Sequence, residues 1–373
     1  MIKILHIAKP VAGVGVYIQL LSKFIDSSKF KNEIILNKSD YNLKISDKSG
    51  DEIKSYHLNL EREVSIFKDL VAFCQLLKLV KKIKPDIIHC HSAKSGILGR
   101  LVASVVKIPC LYTPHAFSYL SADQKLKRLI FKFIEKSFKY TSSKILACSK
   151  SEFNRAIKEL KFSKNNVLLW ENSLPKFSHN KVTKNKINLP KNYICTIGRP
   201  SYQKNTELLI ETIYKVKDRI TDIHLVVLGV GFFSPKLQNV KNLIDKYDLS
   251  SNITLIDWID RKDILAILNS SYFFVSSSRY EGLSYAGLEA LMLSKPGVLT
   301  NVDGNKDLIE HNINGFLVDA NSTIFADKIV ELYNSKLLIH KMSLAAKKKF
   351  ENEFDLEKNI LKLERIYYNV LSN

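Results

Sequence analysis

From Ile2 onward the chain alternates short β-branched runs with longer segments of helical period, and that alternation restricts it to parallel-sheet architectures. Residues 2–7, 33–37, 87–90, 110–113 and 144–147 are predicted strands, and 64–82 and 97–107 predicted helices. Parallel neighbours need crossovers, and helical crossovers are right-handed, so this succession predicts a doubly wound sheet covered on both faces. The pattern stops near Ser173 and resumes at Tyr193. There the strands are predicted at 193–197, 224–228, 253–255, 273–276, 297–299 and 316–318, and the helices at 205–216, 235–246 and 284–293. Three further helical segments, 323–335, 337–351 and 356–371, close the sequence.

Two α/β domains follow from this reading. A first Rossmann-like domain covers 1–174, a linker 175–190, and a second domain 191–355, with a helix over 356–373 able to pack back on the first. A length of 373 residues also exceeds what one hydrophobic core usually serves. Facing doubly wound domains would place the carboxyl ends of both sheets at a shared cleft, where such folds bind ligands. No apolar run approaches the roughly 18 residues of a membrane span, and Lys9, Pro10 and Gly13 interrupt any signal-peptide core, so a cytoplasmic location is expected. The five cysteines form no CxxC pair and are read as buried, reduced thiols.

Charge is distributed unevenly. Residues 1–174 hold 30 of the 57 Lys and Arg and 15 of the 37 Asp and Glu, so they carry +15 of the net +20. A positive half-molecule attracts polyanions, and nucleic acid, anionic lipid and phosphorylated small molecules all qualify. Segment 124–140 interleaves Lys125, Lys127, Arg128, Lys132, Lys136 and Lys139 with apolar residues as a basic amphipathic helix. It would either pack on its domain or rest on an anionic membrane.

Four segments could carry chemistry. After the first strand, Ala12-Gly13-Val14-Gly15-Val16-Tyr17-Ile18 places Gly13 and Gly15 where free N–H groups can face a phosphate. Ile18 stands where a dinucleotide fingerprint would want a small residue, which weakens a nicotinamide reading. His89-Cys90-His91 points two imidazoles to one face of a strand, but no further ligand follows at metal spacing. Tyr112-Thr113-Pro114-His115 puts His115 in a carboxyl-end loop, where binding groups collect.

In the second half, Gly198-Arg199-Pro200-Ser201-Tyr202-Gln203-Lys204 brings Arg199 and Lys204 to a helix start, which suits a diphosphate. Finally, 276–291 ends a strand in serines, carries Glu281-Gly282-Leu283-Ser284 in a loop and puts Glu289 on the following helix. Two carboxylates flanking a helix N-terminus can hold two hydroxylated parts of one ligand around its phosphates.

These motifs, with His89-Cys90-His91-Ser92-Ala93-Lys94-Ser95-Gly96-Ile97-Leu98-Gly99-Arg100 and the segment from Val302-Asp303-Gly304-Asn305 to Val318, resemble family 4 of the retaining glycosyltransferases over nearly the whole chain. The chain departs from the family pattern at Val230, where an acidic residue is frequent, and at Trp170-Glu171-Asn172-Ser173. The resemblance implies a GT-B fold and transfer of a hexose or N-acetylhexosamine from a nucleoside diphosphate sugar, a UDP-sugar first. The acceptor would be a glycan, polyprenyl-diphosphate-linked, in capsule, O-antigen or exopolysaccharide synthesis at the cytoplasmic face of the membrane. It implies no cofactor, no metal and no nucleic acid. By the same resemblance Arg199 and Lys204 would hold the diphosphate, Glu289 the ribose, and Glu281 with Gly282, Leu283 and Ser284 the donor. His115 would line the reacting centre, and Gly13 and Gly15 would approach donor or acceptor.

Overall fold

The computed structural model describes every residue except 11–12, 41–42, 61–64, 123, 178–186, 232–233 and 373; Ala12, Val64 and the middle of the 175–190 linker therefore lie outside the described residues. Contacts divide the chain into two units, Met1–Asn172 with Leu356–Asn373, and Ser173–Asp355.

The first unit runs β1 (Ile2–Ile7), α1 (Gly13–Phe24), β2 (Phe30–Asn37), β3 (Lys54–Leu58), α2 (Ile66–Ile83), β4 (Ile87–His91), α3 (Ala93–Val106), β5 (Cys110–Thr113), α4 (Lys125–Ser137), β6 (Lys144–Ala147), α5 (Lys150–Lys158) and β7 (Val167–Leu169). Its seven strands are all parallel, in the order β3-β2-β1-β4-β5-β6-β7. The second unit runs β8 (Ile194–Ile197), α6 (Thr206–Lys217), β9 (Leu225–Leu228), α7 (Leu237–Lys246), β10 (Ile253–Ile256), α8 (Arg261–Ser270), β11 (Phe274–Ser276), α9 (Tyr285–Met292), β12 (Gly297–Thr300), α10 (Asn305–Leu308), β13 (Gly315–Val318), α11 (Ser322–Tyr333) and α12 (Lys336–Glu353). Its six parallel strands follow the order β10-β9-β8-β11-β12-β13. The last helix, α13 (Leu356–Leu371), belongs to the first unit.

Each sheet reverses its winding once, between β1 and β4 in the first unit and between β8 and β11 in the second. Central strands are buried on both faces, which is why they read as near-continuous apolar runs such as Ile4, Leu5 and Ile7. Helix starts are set locally: Ser149 accepts from the N–H of Glu152 and Asn321 from those of Thr323 and Ile324. Where α3 crosses the sheet, Gly96 and Gly99 bring its backbone down on the Tyr112 ring and the Cys90 thiol, leaving no room for a Cβ.

Buried inside the first unit, Arg100 donates to Glu135 at 2.9 Å, and Tyr112 donates to the other carboxylate oxygen at 2.9 Å. The guanidinium lies 3.9 Å from the Tyr112 ring centre and 3.7 Å from that of Phe138. This cluster ties α4 to α3 and β5. Cys74, expected in the interior with the other thiols, is exposed instead, because α2 turns that face to solvent.

Candidate functional site

The switch point of the second sheet gathers the loops after β8 and β11. Lys204 Nζ donates to Glu281 Oε1 at 2.6 Å, Ser278 Oγ to the same oxygen at 2.7 Å, and Gln203 Nε2 to Glu281 Oε2 at 3.1 Å. Backbone knits the same loops, with the Arg279 N–H donating to the Gln203 carbonyl at 2.8 Å and Ser277 Oγ to that of Asn205 at 2.8 Å. Two glycines make the nest possible. Gly198 has φ +149° and faces the Lys204 stem, where a Cβ would come within 2.9 Å, and Gly304 has φ +78° with room for a Cβ only 2.7 Å from that of Glu281. The loop after β12 therefore presses on the glutamate.

Leu283 is buried, Gly282 precedes it, and Ser284 caps α9 by accepting from the Gly287 N–H. Glu289 lies on α9 and is also buried. Burial raises its pKa above the usual carboxylate value, and Arg261 opposes the rise, with Nε 3.0 Å from Oε1. Sequence reasoning missed Arg261, since nothing in a solvated α8 start announces a partner 28 positions away. Arg199 sits in the loop directly after Gly198.

In the first unit, Gly13 and Gly15 fall in the first turn of α1, and a Cβ on Gly15 would stand 3.2 Å from the Pro10 carbonyl oxygen. His115 and Ala116 both have left-handed backbone, φ +56° and +85°, which non-glycine residues adopt at a cost. The turn is held because Glu152 accepts from the N–H of Ala116 and of Cys148, each at 2.8 Å.

His115 ends a chain of imidazoles. His91 Nδ1 lies 3.3 Å from His115 Nε2, His6 Nδ1 3.0 Å from His91 Nε2, and His6 Nε2 3.2 Å from Asn32 Oδ1. His89 lies between the hydroxyls of Tyr367 and Thr113, each at 2.9 Å. Desolvation lowers the pKa of His6 to about 4 and of His115 to about 3, and drives His89 and His91 well below the usual value. The rings are therefore neutral at pH 7.

Among the described residues, His6, His89 and His91 present nitrogens within 4.8 Å of one another, a grouping that could hold a metal ion by proximity. No spacing along the sequence announces His6 as a third nitrogen donor, because β1 supplies it across the sheet. All six nitrogens nevertheless have protein partners at hydrogen-bond distance. His115, Gly13 and Gly15 thus belong to one unit and Arg199, Lys204, Glu281 to Ser284 and Glu289 to the other.

Two family models match the chain: the one described as "Glycosyltransferase Family 4" over residues 11–174, and "Glycosyl transferases group 1" over 178–349. The chain is a glycosyltransferase of this family. Among the relatives of the enzyme is an Escherichia coli UDP-Gal:alpha-D-GlcNAc-diphosphoundecaprenol alpha-1,3-galactosyltransferase, 28% identical, the match covering 100% of this chain and 98% of the relative. A Staphylococcus aureus capsular polysaccharide biosynthesis glycosyltransferase, CapM, is 25% identical over 90% of this chain and 92% of its own length. Among solved structures, the sucrose-phosphate synthase of Thermosynechococcus elongatus superposes with a TM-score of 0.85 at 16% identity, covering 100% of both chains. The two Rossmann-like units are those of the GT-B fold.

Proposed function

We propose that the enzyme moves a hexose or N-acetylhexosamine from a UDP-sugar to a lipid-linked glycan, with retention and without a metal ion, in the synthesis of a capsule, O-antigen or exopolysaccharide. The observation that carries this reading is the nested Lys204–Glu281 pair at the switch point of the second sheet, beside the N-terminus of α9. The names of the two relatives, one using UDP-Gal and a diphosphoundecaprenol acceptor and the other serving capsule synthesis, support the substrate classes.

Departure of a nucleoside diphosphate builds negative charge on the leaving oxygen. Lys204, Arg199 and the N–H groups of the α9 start place positive potential for it. Glu281 already accepts from Lys204, Ser278 and Gln203, an arrangement that favours holding sugar hydroxyls over nucleophilic attack and hence front-face displacement. Glu289 is assigned to the ribose hydroxyls and His115 to a sugar hydroxyl. The test is release of nucleoside diphosphate from a panel of UDP-, GDP- and ADP-sugars with a GlcNAc-diphospholipid acceptor, with and without EDTA. Turnover of a UDP-sugar unaffected by chelation is expected. Preference for another base would overturn the donor assignment, and loss restored by Mg²⁺ or Mn²⁺ would overturn the leaving-group chemistry.

The same reading includes rest on an anionic membrane. No described helix is long and apolar enough to cross one. On α4, however, Leu126, Leu129, Ile130 and Phe133 form one exposed stripe, Phe133 at 74% exposure, among the exposed Lys125, Lys127 and Arg128. Phe67, Leu70 and Val71 of α2 and Leu101 and Val105 of α3 add exposed apolar surface. Each basic residue near an anionic leaflet is worth about 1 kcal/mol. Replacing Lys125, Lys127 and Arg128 with Gln is therefore expected to weaken binding to anionic liposomes by ~3 kcal/mol in flotation. Equal flotation of wild type with neutral and anionic vesicles would remove the membrane from the proposal.

A further inference from the structure

We propose that Asn32, His6 and His91 are positioning residues: a hydrogen-bonded relay across four adjacent strands that fixes the tautomer of His115, so that His115 offers a bare Nδ1 to a sugar hydroxyl of the substrate. The inference rests on the assignment of His115 to a sugar hydroxyl.

Geometry sets the relay. Asn32 stands on β2, His6 on β1, His91 at the end of β4 and His115 just after β5, and these strands are consecutive neighbours in the sheet. His6 pairs in register with His89, and His89 and His91 share a face by strand alternation. Links of 3.2, 3.0 and 3.3 Å then join amide to imidazole to imidazole to imidazole. The interior links are fully buried, whereas His115 is partly exposed.

A neutral imidazole has one donor and one acceptor, so fixing one end fixes all. Asn32 Oδ1 can only accept, which places the His6 proton on Nε2. His6 Nδ1 must then accept from His91 Nε2–H, and His91 Nδ1 from His115 Nε2–H. That leaves His115 Nδ1 with its lone pair, and among the described residues no protein group bonds it. The groups facing the chain are His89, Tyr17 and Tyr367; Tyr17 stacks edge-on against His91 and His115, with centroids 5.3 and 4.7 Å away. None carries a charge at pH 7 that would protonate a ring, and desolvation opposes protonation along the whole chain. His89 sits between two hydroxyls, each able to donate or accept, so it imposes no direction.

The two left-handed residues at His115 and Ala116 fit the same purpose, since the strained turn is what delivers Nε2 to His91. A hydroxyl that donates to Nδ1 is then recognised by its proton, and an ether or a deoxy carbon at that position is not.

The direct test is a long-range ¹H–¹⁵N spectrum of the ¹⁵N-histidine-labelled full-length enzyme between pH 6 and 8. His6, His91 and His115 are expected as neutral Nε2–H tautomers throughout. The Nδ1–H form at His115, an imidazolium there, or stoichiometric Zn²⁺ retained at pH 7 with loss of the Nε2–H signals of His6 and His91 would overturn the relay.

Turnover supplies a second readout. His115→Ala is expected to lose about tenfold to a hundredfold in kcat, and His91→Leu and Asn32→Leu about tenfold, with donor KM within about threefold of wild type. His91→Gln should restore turnover, because its amide again carries one donor and one acceptor. An unaffected His115→Ala would sink the role of His115 itself. A crippled His115→Ala beside fully active His91→Leu and Asn32→Leu would sink the relay alone and leave the proposed transfer standing.

Discussion

Replacing Arg100 with methionine is expected to destabilise the first unit by about 3–5 kcal/mol, the usual result of removing one partner from a buried ion pair. Arg100 and Glu135 are each 1% exposed, so the carboxylate left behind cannot be rescued by water. Among the described residues it would keep the Tyr112 hydroxyl at 2.9 Å and, more weakly, that of Ser118 at 3.4 Å. The double replacement Arg100→Met with Glu135→Leu should recover much of the loss, since no buried charge then remains. Urea unfolding followed by circular dichroism reads both. A single variant within about 1 kcal/mol of wild type would show that the pair is not what anchors α4.

Lys204→Ala is expected to lower kcat/KM by about a hundredfold or more, through loss of the charge proposed to meet the one that develops on the leaving group. The same change strips Glu281, a buried carboxylate, of its cation, so part of the loss is misplacement of the glutamate. Glu289→Gln keeps volume and fold, and weakening of donor binding by about tenfold is expected, the scale of one charge-assisted contact. Calorimetric titration with UDP and a thermal melt separate lost contacts from lost fold: Lys204→Ala and Glu289→Gln should both bind more weakly while melting within a few degrees of wild type. Wild-type kinetics in both would remove these residues from the site.

The strands that the sequence displayed most clearly are those buried on both faces. Ile2–Ile7, Cys110–Thr113 and Lys144–Ala147 fall at the expected bounds, because a doubly covered strand has no choice but to be apolar. The edge strands Lys54–Leu58 and Val167–Leu169 escaped notice. Each has a neighbour on one edge only and is partly exposed, so polar residues such as Lys54, Ser55 and His57 are tolerated and the signal is diluted. Helix α8 was missed for a related reason: Arg261, Lys262 and Asp263 begin it without a clear apolar period.

In the candidate site, residue types and loop positions were visible, but partners were not. Lys204 and Glu281 stand 77 positions apart and meet only because β8 and β11 are neighbours. His6 is inconspicuous for the same cause, its significance arising from a register across β1 and β4 rather than from any spacing along the chain.

The first unit is completed by a helix that follows the whole second unit in the chain. Through α13, Tyr367 reaches His89, the Asn359 carbonyl accepts from Trp170 Nε1, and Glu364 accepts from the Asp26 N–H at 3.0 Å. During translation at roughly 5–20 residues per second, the whole of the second unit must leave the ribosome before that lid arrives, a delay on the order of ten to forty seconds. Throughout it Phe30 lacks the Tyr367 and Tyr368 rings, His89 the Tyr367 hydroxyl and Trp170 Nε1 its carbonyl acceptor. The unit begun first is therefore finished second, and the exposed interval between is when chaperones would find this chain.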